Sequence, residues 1–594
     1  MKHPFDCKSE KLIVILFFWY MVYCIADNII SPLGLTSRQN YKALLEGRSS
    51  IEQYPKGYLG IPDGFCGSLL SHSVNPKAEL SLSADTEDLT RLEKLVVQSV
   101  QSALDGLDLD ISSERVVLIF ATTKGNLEGK REAPGACAAK ISEFLGIKST
   151  PITVCNACIS GVNAIILAER LLESAKYDFA VVCGGDIIGK FIISGFETLK
   201  ALSPMACKPF DIERLGLNLG EAAATMVLSR NPSERENWGI CNGAIRNDAS
   251  HITTPSKTGD GALNALKYAL QDVDIDELAF VNAHGTATMF NDQMEGVAIE
   301  RAGLCGVEVN ALKGYFGHTM GAAGIVETII SMRSLDDGKC LATKGFEEIG
   351  VSAPLHITSE THTTEKRSFI KMISGFGGGN AAIFATKHSP ASEKKNDFSG
   401  NSLRLEQLHT VKITPRGAVV DGENIALERD SSDGNTLLTS IYKQRIGDYP
   451  KFYKMDPLAK LGFVASELLL QKEGGERFVP REDRAIILFN QTSSQVTDAA
   501  YTETIAEDNY YPSPALFVYT LPNIAAGEIA LRNNYKGESS FYILPQKDKQ
   551  LMDMILEASL LDRTTKSMVA GWIDYANPSD FEAELSILKI NNKE

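Results

Sequence analysis

A cysteine stands at the turn between a strand pattern and a helix pattern in Val154-Cys155-Asn156-Ala157-Cys158-Ile159-Ser160-Gly161. The β-branched run Ile152-Thr153-Val154 reads as the strand, and the apolar-faced run from Val162 to Ser174 reads as the helix. The first helical turn leaves N–H groups unpaired, so a thiol beside it should have its thiolate favoured and can serve as a nucleophile near neutral pH. The bland alternative is a buried, inert cysteine, because cysteine is among the most often buried residues. Cys155 and Cys158 also form a Cys-x-x-Cys pair, open to redox chemistry or to half a zinc site. A zinc site needs two further ligands, and the chain has no second Cys-x-x-Cys and no His-x-x-x-His. No metal is therefore assigned.

A thiol nucleophile needs polar company, and two histidine turns offer it: Ala283-His284-Gly285-Thr286 and Phe316-Gly317-His318-Thr319. A strand end followed by glycine is where an α/β fold places catalytic groups, although a lone histidine in such a turn is more often a satisfied structural one. Lys313 precedes His318 by five residues and, taken alone, reads as a surface lysine. Asp292 and Glu295 are spaced to share one helix face, where the bland reading is helix N-terminal charge. Gly375-Phe376-Gly377-Gly378-Gly379-Asn380 is too glycine-rich for helix or strand. It lacks a Walker lysine and is better suited to bringing backbone N–H groups close to a reacting oxygen.

The elements that must hold these residues alternate along the chain. Strand patterns at Met21–Ala26, Arg115–Phe120, Phe179–Gly185, Thr225–Leu228, Leu278–Val281, Val307–Val309 and Ser368–Ser374 are interleaved with helix patterns. The helices fall at Ser37–Gly47, Asp85–Leu104, Gly261–Leu270 and Gly321–Ser334. All-apolar strands between helices predict an α/β layered fold with largely parallel strands. The chain has 594 residues, enough for several domains, and its formal net charge of −16 argues against a general binder of nucleic acid or anionic membrane. The 11 cysteines are odd in number, irregularly spaced and confined to positions up to Cys340, which fits a reducing, cytoplasmic setting rather than a disulfide framework. Leu12 to Ala26 is apolar but shorter than the ~20 residues of a membrane span, and no small-x-small cleavage site follows it. Met21 onward is read as the first strand of a soluble fold, with residues 1–20 as an upstream extension, such as an early start codon would produce.

The polar stretch Ser389–Gln407 reads as a linker. Beyond it, Arg484–Phe489 echoes Arg115–Phe120 and follows a helix pattern, Met455–Leu470, as the first copy does. Pro514–Thr520 leads into Leu521-Pro522-Asn523-Ile524, and Ser540–Leu544 is aligned with Phe179–Gly185. This alignment sets Pro522 and Asn523 opposite Cys158. The later copy contains no cysteine, so it is silent in thiol chemistry.

Five separated motifs, in this order, resemble the β-ketoacyl-[acyl carrier protein] synthase family of the thiolase superfamily. They are Asn156-Ala157-Cys158-Ile159-Ser160-Gly161; Lys208-Pro209-Phe210-Asp211 through Gly220-Glu221; Ala283-His284 through Thr288 with Asn291-Asp292; Lys313 through His318 to Gly324; and Gly375-Phe376 to Asn380. The resemblance spans about 21–388 and continues as a degenerate half from 408. It implies a thiolase-like αβαβα fold made of two halves, 21–240 with the nucleophile and 241–388 with the histidines. A linker, 389–407, and an incomplete thiolase-like half-domain, 408–594, complete the expected order. It implies that Cys158 takes the acyl group and that His284 and His318 bind the malonyl thioester carbonyl. The N–H groups of Cys158 and Phe376 would form an oxyanion hole, with Phe376 as gate. Lys313 would hold the histidines through Glu295 or Asp292, and Thr286 and Thr288 would contact the pantetheine arm. The substrates would ride on the phosphopantetheine of an acyl carrier protein with no other cofactor, and the chain would be a homodimer or pair with a related synthase subunit.

The implied reaction is decarboxylative condensation in fatty-acid, polyene or polyketide-type lipid synthesis. Departures from the family pattern favour a specialised pathway. Cys155 is an extra thiol, Ile159-Ser160-Gly161 replaces smaller or hydroxyl residues, and Leu215-Gly216-Leu217-Asn218 precedes Gly220. A non-catalytic chain-length-factor-like partner and a thiol oxidoreductase using Cys155 and Cys158 are the competing readings. A degradative thiolase would need a second cysteine near the Gly375 loop, where there is none.

Overall fold

The computed structural model describes residues 20–70, 88–127, 132–233, 236–388, 404–427, 434–507 and 509–591. The expected extension therefore lies outside the described residues except for Tyr20, whose hydroxyl donates to the Leu172 carbonyl and accepts from Arg230. Among the described residues no helix is long and apolar enough to cross a membrane.

Three copies of one unit, β-α-β-α-β-α-β-β, make up the chain. The first comprises β1 (Val22–Ile30), α1 (Arg91–Leu104), β2 (Val116–Ala121), α2 (Pro134–Leu145), β3 (Ile152–Val154), α3 (Ser160–Glu173), β4 (Phe179–Asp186) and β5 (Ala222–Ser229). The second has β6 (Asn237–Asn247), α4 (Asp260–Ala269), β7 (Leu278–Asn282), α5 (Met289–Arg301), β8 (Glu308–Asn310), α6 (Ala323–Asp336), β9 (Ser368–Gly375) and β10 (Gly379–His388). The third has β11 (Arg404–Thr414), α7 (Pro457–Leu470), β12 (Arg484–Asn490), α8 (Ile524–Asn533), β13 (Ser539–Ile543), α9 (Lys549–Ala558), β14 (Ser567–Asn577) and β15 (Asp580–Asn591).

Each sheet follows the same order. In the first copy β3, β2 and β4 are parallel, then β5 and β1 follow antiparallel. The second runs β8-β7-β9-β10-β6 with the same senses. The third runs β13-β12-β14-β15-β11. Strand alternation explains the layers: Val116, Leu118 and Phe120 of β2 face α1 and α2, whereas Val117, Ile119 and Ala121 face a central layer containing α3 and α6. Helices α4 and α5 cover the far side of the second sheet. The first two copies thus form an α-β-α-β-α body. The third, one half-fold rather than two, extends it.

The extension is a covalently linked continuation of the first sheet. Thr153 and Val154 of β3 pair antiparallel with Ile543 and Tyr542 of β13, so the strands of the first and third copies run on as one hydrogen-bonded ladder with no free edge at β3. Buried charges cross the same boundary. Arg170 donates to Glu538 at 2.7 Å and lies 3.6 Å from Asp562, Arg246 pairs with Asp562 at 2.6 Å, and Lys124 meets Asp498 at 3.0 Å.

Several sequence-based boundaries move. Helix α1 starts at Arg91, not Asp85, because Thr90 and Glu93 form a reciprocal capping box; positions 85–87 lie outside the described residues. The first strand runs on to Ile30, and the division at 240/241 falls inside β6. The sheet already includes Arg404–Gln407, paired with β15, so those four residues are not linker. Topology also corrects the alignment of the third copy. Strand Ser539–Ile543 corresponds to β3, not to Phe179–Gly185, and the turn equivalent to Cys158 is Leu544–Asp548, ahead of α9. Pro522 and Asn523 instead precede α8, the counterpart of α2, and Pro514–Tyr519 is a helix.

Removing Arg170 leaves Glu538 uncompensated in the interior, a change that costs about 3–5 kcal/mol when a buried pair is broken. Arg170→Ala should lower the thermal unfolding midpoint markedly, whereas Arg115→Ala, which loses an exposed pair with Asp178, should barely move it. Equal midpoints in a side-by-side scan would refute the buried pair's role in joining the third copy.

Candidate active site

Strand β3 delivers the nucleophile turn, and the third copy fixes its shape. Cys155 N–H donates to the Phe541 carbonyl at 3.2 Å, and the Asn156 side chain accepts from Phe541 N–H at 2.8 Å and donates to the Ser539 carbonyl. Ala157 then takes φ +50°, a left-handed conformation costly for a residue with a Cβ. The Ser160 hydroxyl, bridging Asn156 N–H and the Ala157 carbonyl, braces it. This kink separates the two thiols. Cys155 points into the core shared with the third copy and donates to the Thr123 carbonyl at 3.2 Å. Cys158 lines a cavity of about 370 Å³ with His284, His318, Thr286, Thr288 and Phe376. With its thiol so engaged, Cys155 is not disposed as a redox partner to Cys158, and both are free thiols.

The expected activation of Cys158 by the helix end does not prevail. Burial pushes its thiol up to about 12, against a smaller downward pull from Lys313. In the absence of substrate it is a neutral thiol.

The His284 turn follows β7. Glu295 accepts from His284 N–H (2.6 Å) and Gly285 N–H (2.8 Å), while Asp292 accepts from Thr286 N–H (3.1 Å) and Phe210 N–H (2.7 Å). The shared helix face of Asp292 and Glu295 thus holds loop backbone. Burial raises Asp292 to about 6, and burial together with Asp292 raises Glu295 to about 7. Lys313 is fully buried, not a surface lysine, and its carboxylate partner is Glu327 rather than Glu295 or Asp292. Its ammonium donates to Glu327 at 2.7 Å, to His284 Nδ1 at 3.0 Å and to the His284 carbonyl at 2.6 Å. The other Glu327 oxygen accepts from Lys371 at 2.5 Å, and Lys371 also donates to the Asn282 side chain. Against burial, the two ammonium groups hold Glu327 below the usual carboxylate range. Burial brings Lys371 down to about 8, with Glu327 pulling the other way.

Both imidazoles are kept neutral. Burial, followed by the charge of Lys313, lowers His284 and His318 well below the ordinary histidine value. Hydrogen bonds then choose the tautomer. His284 Nδ1 accepts from Lys313 and His318 Nδ1 accepts from Met320 N–H at 3.3 Å, so each proton must sit on Nε2. His318 Nε2 is buried with no hydrogen-bond partner among the described residues. Its N–H is a donor awaiting an acceptor inside the cavity. The donor atoms of Cys158, His284 and His318 lie within 4.8 Å of one another, a spacing that fits a metal ion. Two Nε2–H groups are the wrong chemistry for it, since a metal needs the lone pair.

Gly375–Asn380 joins β9 to β10, and Gly375 sits so close to the nucleophile that a Cβ there would be 3.2 Å from Cys158 N. Asn523 of the third copy donates to the Phe376 carbonyl at 2.8 Å, and the Phe376 ring stacks on Phe196. Behind that ring the space beside Cys158 narrows to about 10 Å³, floored by Lys124, Phe517 and Leu521. Gly195 is required here, because a Cβ would lie 2.1 Å from the Phe517 ring. Glu327, Lys371, Lys124 and Phe517 were not singled out from sequence. A lone glutamate in an apolar helix and a lone lysine in the apolar strand Ser368–Gly375 were the available signals.

A neutral thiol and two imidazole N–H donors, at the junction of two half-folds in a five-layer body, define a thiolase-type condensing enzyme. Comparison identifies the family. Residues 21–233 match the β-ketoacyl synthase N-terminal domain and residues 239–347 its C-terminal domain, together more than half of the chain. The chain belongs to the β-ketoacyl synthase family. It is 27% identical over 410 residues to 3-oxoacyl-[acyl-carrier-protein] synthase 2 of Vibrio cholerae, covering 60% of this chain and 96% of that protein. Among solved structures, the ketosynthase ApeO in complex with its chain length factor ApeC, from Xenorhabdus doucetiae, matches at 24% identity and TM-score 0.54, over 62% of this chain and 98% of that one. The PfaC keto synthase–chain length factor structure shares the fold over 96% of this chain and 78% of its own, with TM-score 0.73 at 14% identity.

Because the thiol is raised to about 12, its thiolate fraction, and with it the alkylation rate, should climb about tenfold per pH unit between pH 7 and 10. Iodoacetamide labelling of Cys158, followed by peptide mass spectrometry, checks this. A plateau below pH 9 would show a thiolate already formed at rest.

Proposed function

We propose that this chain condenses carrier-bound substrates: an acyl group held on Cys158 with a malonyl group on acyl carrier protein. In the first half-reaction the Cys158 sulfur attacks the acyl thioester carbonyl. The oxygen takes up negative charge beside the N–H groups of Cys158 and Phe376, the C–S bond to pantetheine breaks, and the pantetheine thiol leaves with the proton. In the second, the malonyl C–C bond to its carboxylate breaks and carbon dioxide departs. The electron pair passes to the thioester oxygen as an enolate, held by the Nε2–H groups of His284 and His318. Its α-carbon attacks the Cys158 thioester, forming the new C–C bond and releasing the Cys158 thiolate, which is then protonated.

The observation that carries this reading is the Nε2–H of His318 beside Cys158, buried with no partner among the described residues. Neutral donors suit an oxygen that gains charge only in the transition state. Thr286 and Thr288 line the same cavity and suit the amides of a pantetheine arm. The mouth carries exposed Met289 and Phe290, 57% and 71% accessible, with Lys200 nearby for the phosphodiester. A complete set of Cys158, His284 and His318 weighs against a non-catalytic partner. We read the third copy as the counterpart, in one chain, of a separate chain-length-factor subunit, because Phe517 and Leu521 floor the space behind Cys158. The constricted floor favours a short acyl group. The family resemblance leaves fatty-acid, polyene and polyketide-type products open, and its departures favour the last two.

Mixing the full chain with an acyl carrier thioester should add one acyl mass to wild type and none to Cys158→Ala by intact mass spectrometry. Equal acylation of the two would refute the assignment. His318→Ala should still acylate but decarboxylate malonyl carrier about 10²–10³ times more slowly, the cost of one donor to a developing oxyanion. Phe517→Ala should accept longer acyl carriers than wild type in the same assay. An unchanged length profile would remove the third copy from the acyl pocket.

A further inference from the structure

A second convergence of metal-ligating side chains lies at the edge of the second sheet, with none of the proposed catalytic residues in it. Glu308 opens β8, Cys340 ends the two-residue strand Lys339–Cys340, and His362 opens the strand His362–Thr363. Cys340 and His362 stand opposite each other in an antiparallel pair. One ligand atom of each residue, a carboxylate oxygen, a thiol sulfur and an imidazole nitrogen, falls within 4.8 Å of the other two. Around a tetrahedral zinc ion, bonds of about 2.0–2.3 Å place ligands roughly 3.3–3.8 Å apart, so side-chain shifts of up to about 1–1.5 Å close the set.

Tautomer separates this cluster from the pocket around Cys158. His362 Nδ1 lies 3.1 Å from the Glu360 carbonyl, an acceptor only, so Nδ1 must donate. That arrangement fixes the ring as metal-binding histidines are fixed, with the other nitrogen turned toward the cluster. Nε2 faces Glu308 Oε1 at 2.9 Å, and a cation between the two atoms, a proton or a metal ion, satisfies both. The second Glu308 oxygen accepts from the Thr358 hydroxyl at 3.1 Å, which orients the first. Cys340 is buried, whereas the His362 side chain is 43% accessible, leaving a path for an ion and a place for a water as fourth ligand.

We propose that Glu308, Cys340 and His362 bind one zinc-class divalent cation through sulfur, nitrogen and oxygen, with water completing the tetrahedron. Thiolate and imidazole donors together select zinc over magnesium or calcium. The ion has a structural consequence for the active site. The segment between Cys340 and His362 lies against the turn that carries Lys313: the Tyr315 hydroxyl donates to the Ala342 carbonyl at 3.0 Å, and a Cβ on Gly314 would meet the Lys344 carbonyl at 2.3 Å. Pinning both ends of that segment braces the Lys313 turn from outside.

Metal-stripped full chain titrated with cobalt(II), a spectroscopic stand-in for zinc, tests the site. Wild type should bind one ion with a thiolate-to-cobalt charge-transfer band and tetrahedral d–d bands. Cys158→Ala should keep these bands and Cys340→Ser should lose them, with circular dichroism confirming that each variant is folded. His362→Gln, at a more accessible position, should weaken binding by at least about tenfold, the lower bound for disturbing an outer-shell partner. Binding should also raise the thermal midpoint of Cys158→Ala but not that of Cys340→Ser. No charge-transfer band in wild type would overturn the proposal. So would a band abolished in Cys158→Ala and retained in Cys340→Ser.

Discussion

Everything in the active site leans on one buried carboxylate. Glu327 meets two ammonium groups, Lys313 and Lys371, and all three side chains are almost completely removed from water. One negative against two positive charges leaves the cluster net cationic. An isolated buried cation would be prohibitively costly, but here each ammonium also donates to backbone or amide oxygens, so its hydrogen-bonding demand is met. Burial is the larger reason that His284 and His318 stay neutral, and the surplus positive charge adds to it by making a second cation on either ring unfavourable. The triad is also mechanical, because Glu327 comes from α6, Lys371 from β9 and Lys313 from the turn before His318. One carboxylate ties three segments whose relative placement sets the distance between the two imidazoles, whose ring centres are 5.0 Å apart.

The same surplus charge pulls toward ionising Cys158, and magnitude decides that it does not prevail. A group at a helix N-terminus gains about 0.3–1 kcal/mol, rising to about 2 where partly buried. Displacement of a thiol from 9.0 to about 12 corresponds to roughly 4 kcal/mol in the opposite direction. Desolvation wins. A neutral thiol in a closed pocket resists adventitious alkylation and oxidation, and a thioester entering the cavity must receive the sulfur as the proton leaves.

What the residues make legible is the local chemistry: Cys158 on its strand-to-helix turn, His284 just after a strand, His318 in a glycine-rich loop, and the all-apolar strands around them. Registers over long range are not legible. Order along the chain alone sets Pro522 and Asn523 opposite Cys158. Two inserted helices, Gln495–Glu503 and Pro514–Tyr519, lie between β12 and α8, so counting elements forward from β12 lands one unit early. Only hydrogen-bonded pairing shows that Ser539–Ile543 is the partner of β3. Glu327 and Lys371 escaped for a related reason: their meaning lies in each other, 44 residues apart, and neither sits in a turn. Apolar runs interrupted by a single charge deserved the question of where its counter-charge lies, since such residues are almost never fully buried unpaired.

Pairing of β3 with β13 explains why a copy without thiol chemistry is part of the working site. Strand β3 would otherwise be the outer edge of its sheet, three residues long, ending directly in the strained Ala157 turn. An unpaired edge of that length frays, and any fraying passes straight into the position of Cys158. Ser539 and Phe541 satisfy the turn's backbone and the Asn156 amide, while Asn523 holds Phe376 on the opposite wall. Two walls of one pocket therefore take their geometry from the third copy. In its own equivalent turn, Leu544–Asp548, Pro545 removes a backbone donor and no cysteine is present. Thiol chemistry is not what the third copy supplies: it supplies the paired edge through its backbone and the support of Phe376 and the pocket floor through Asn523, Phe517 and Leu521.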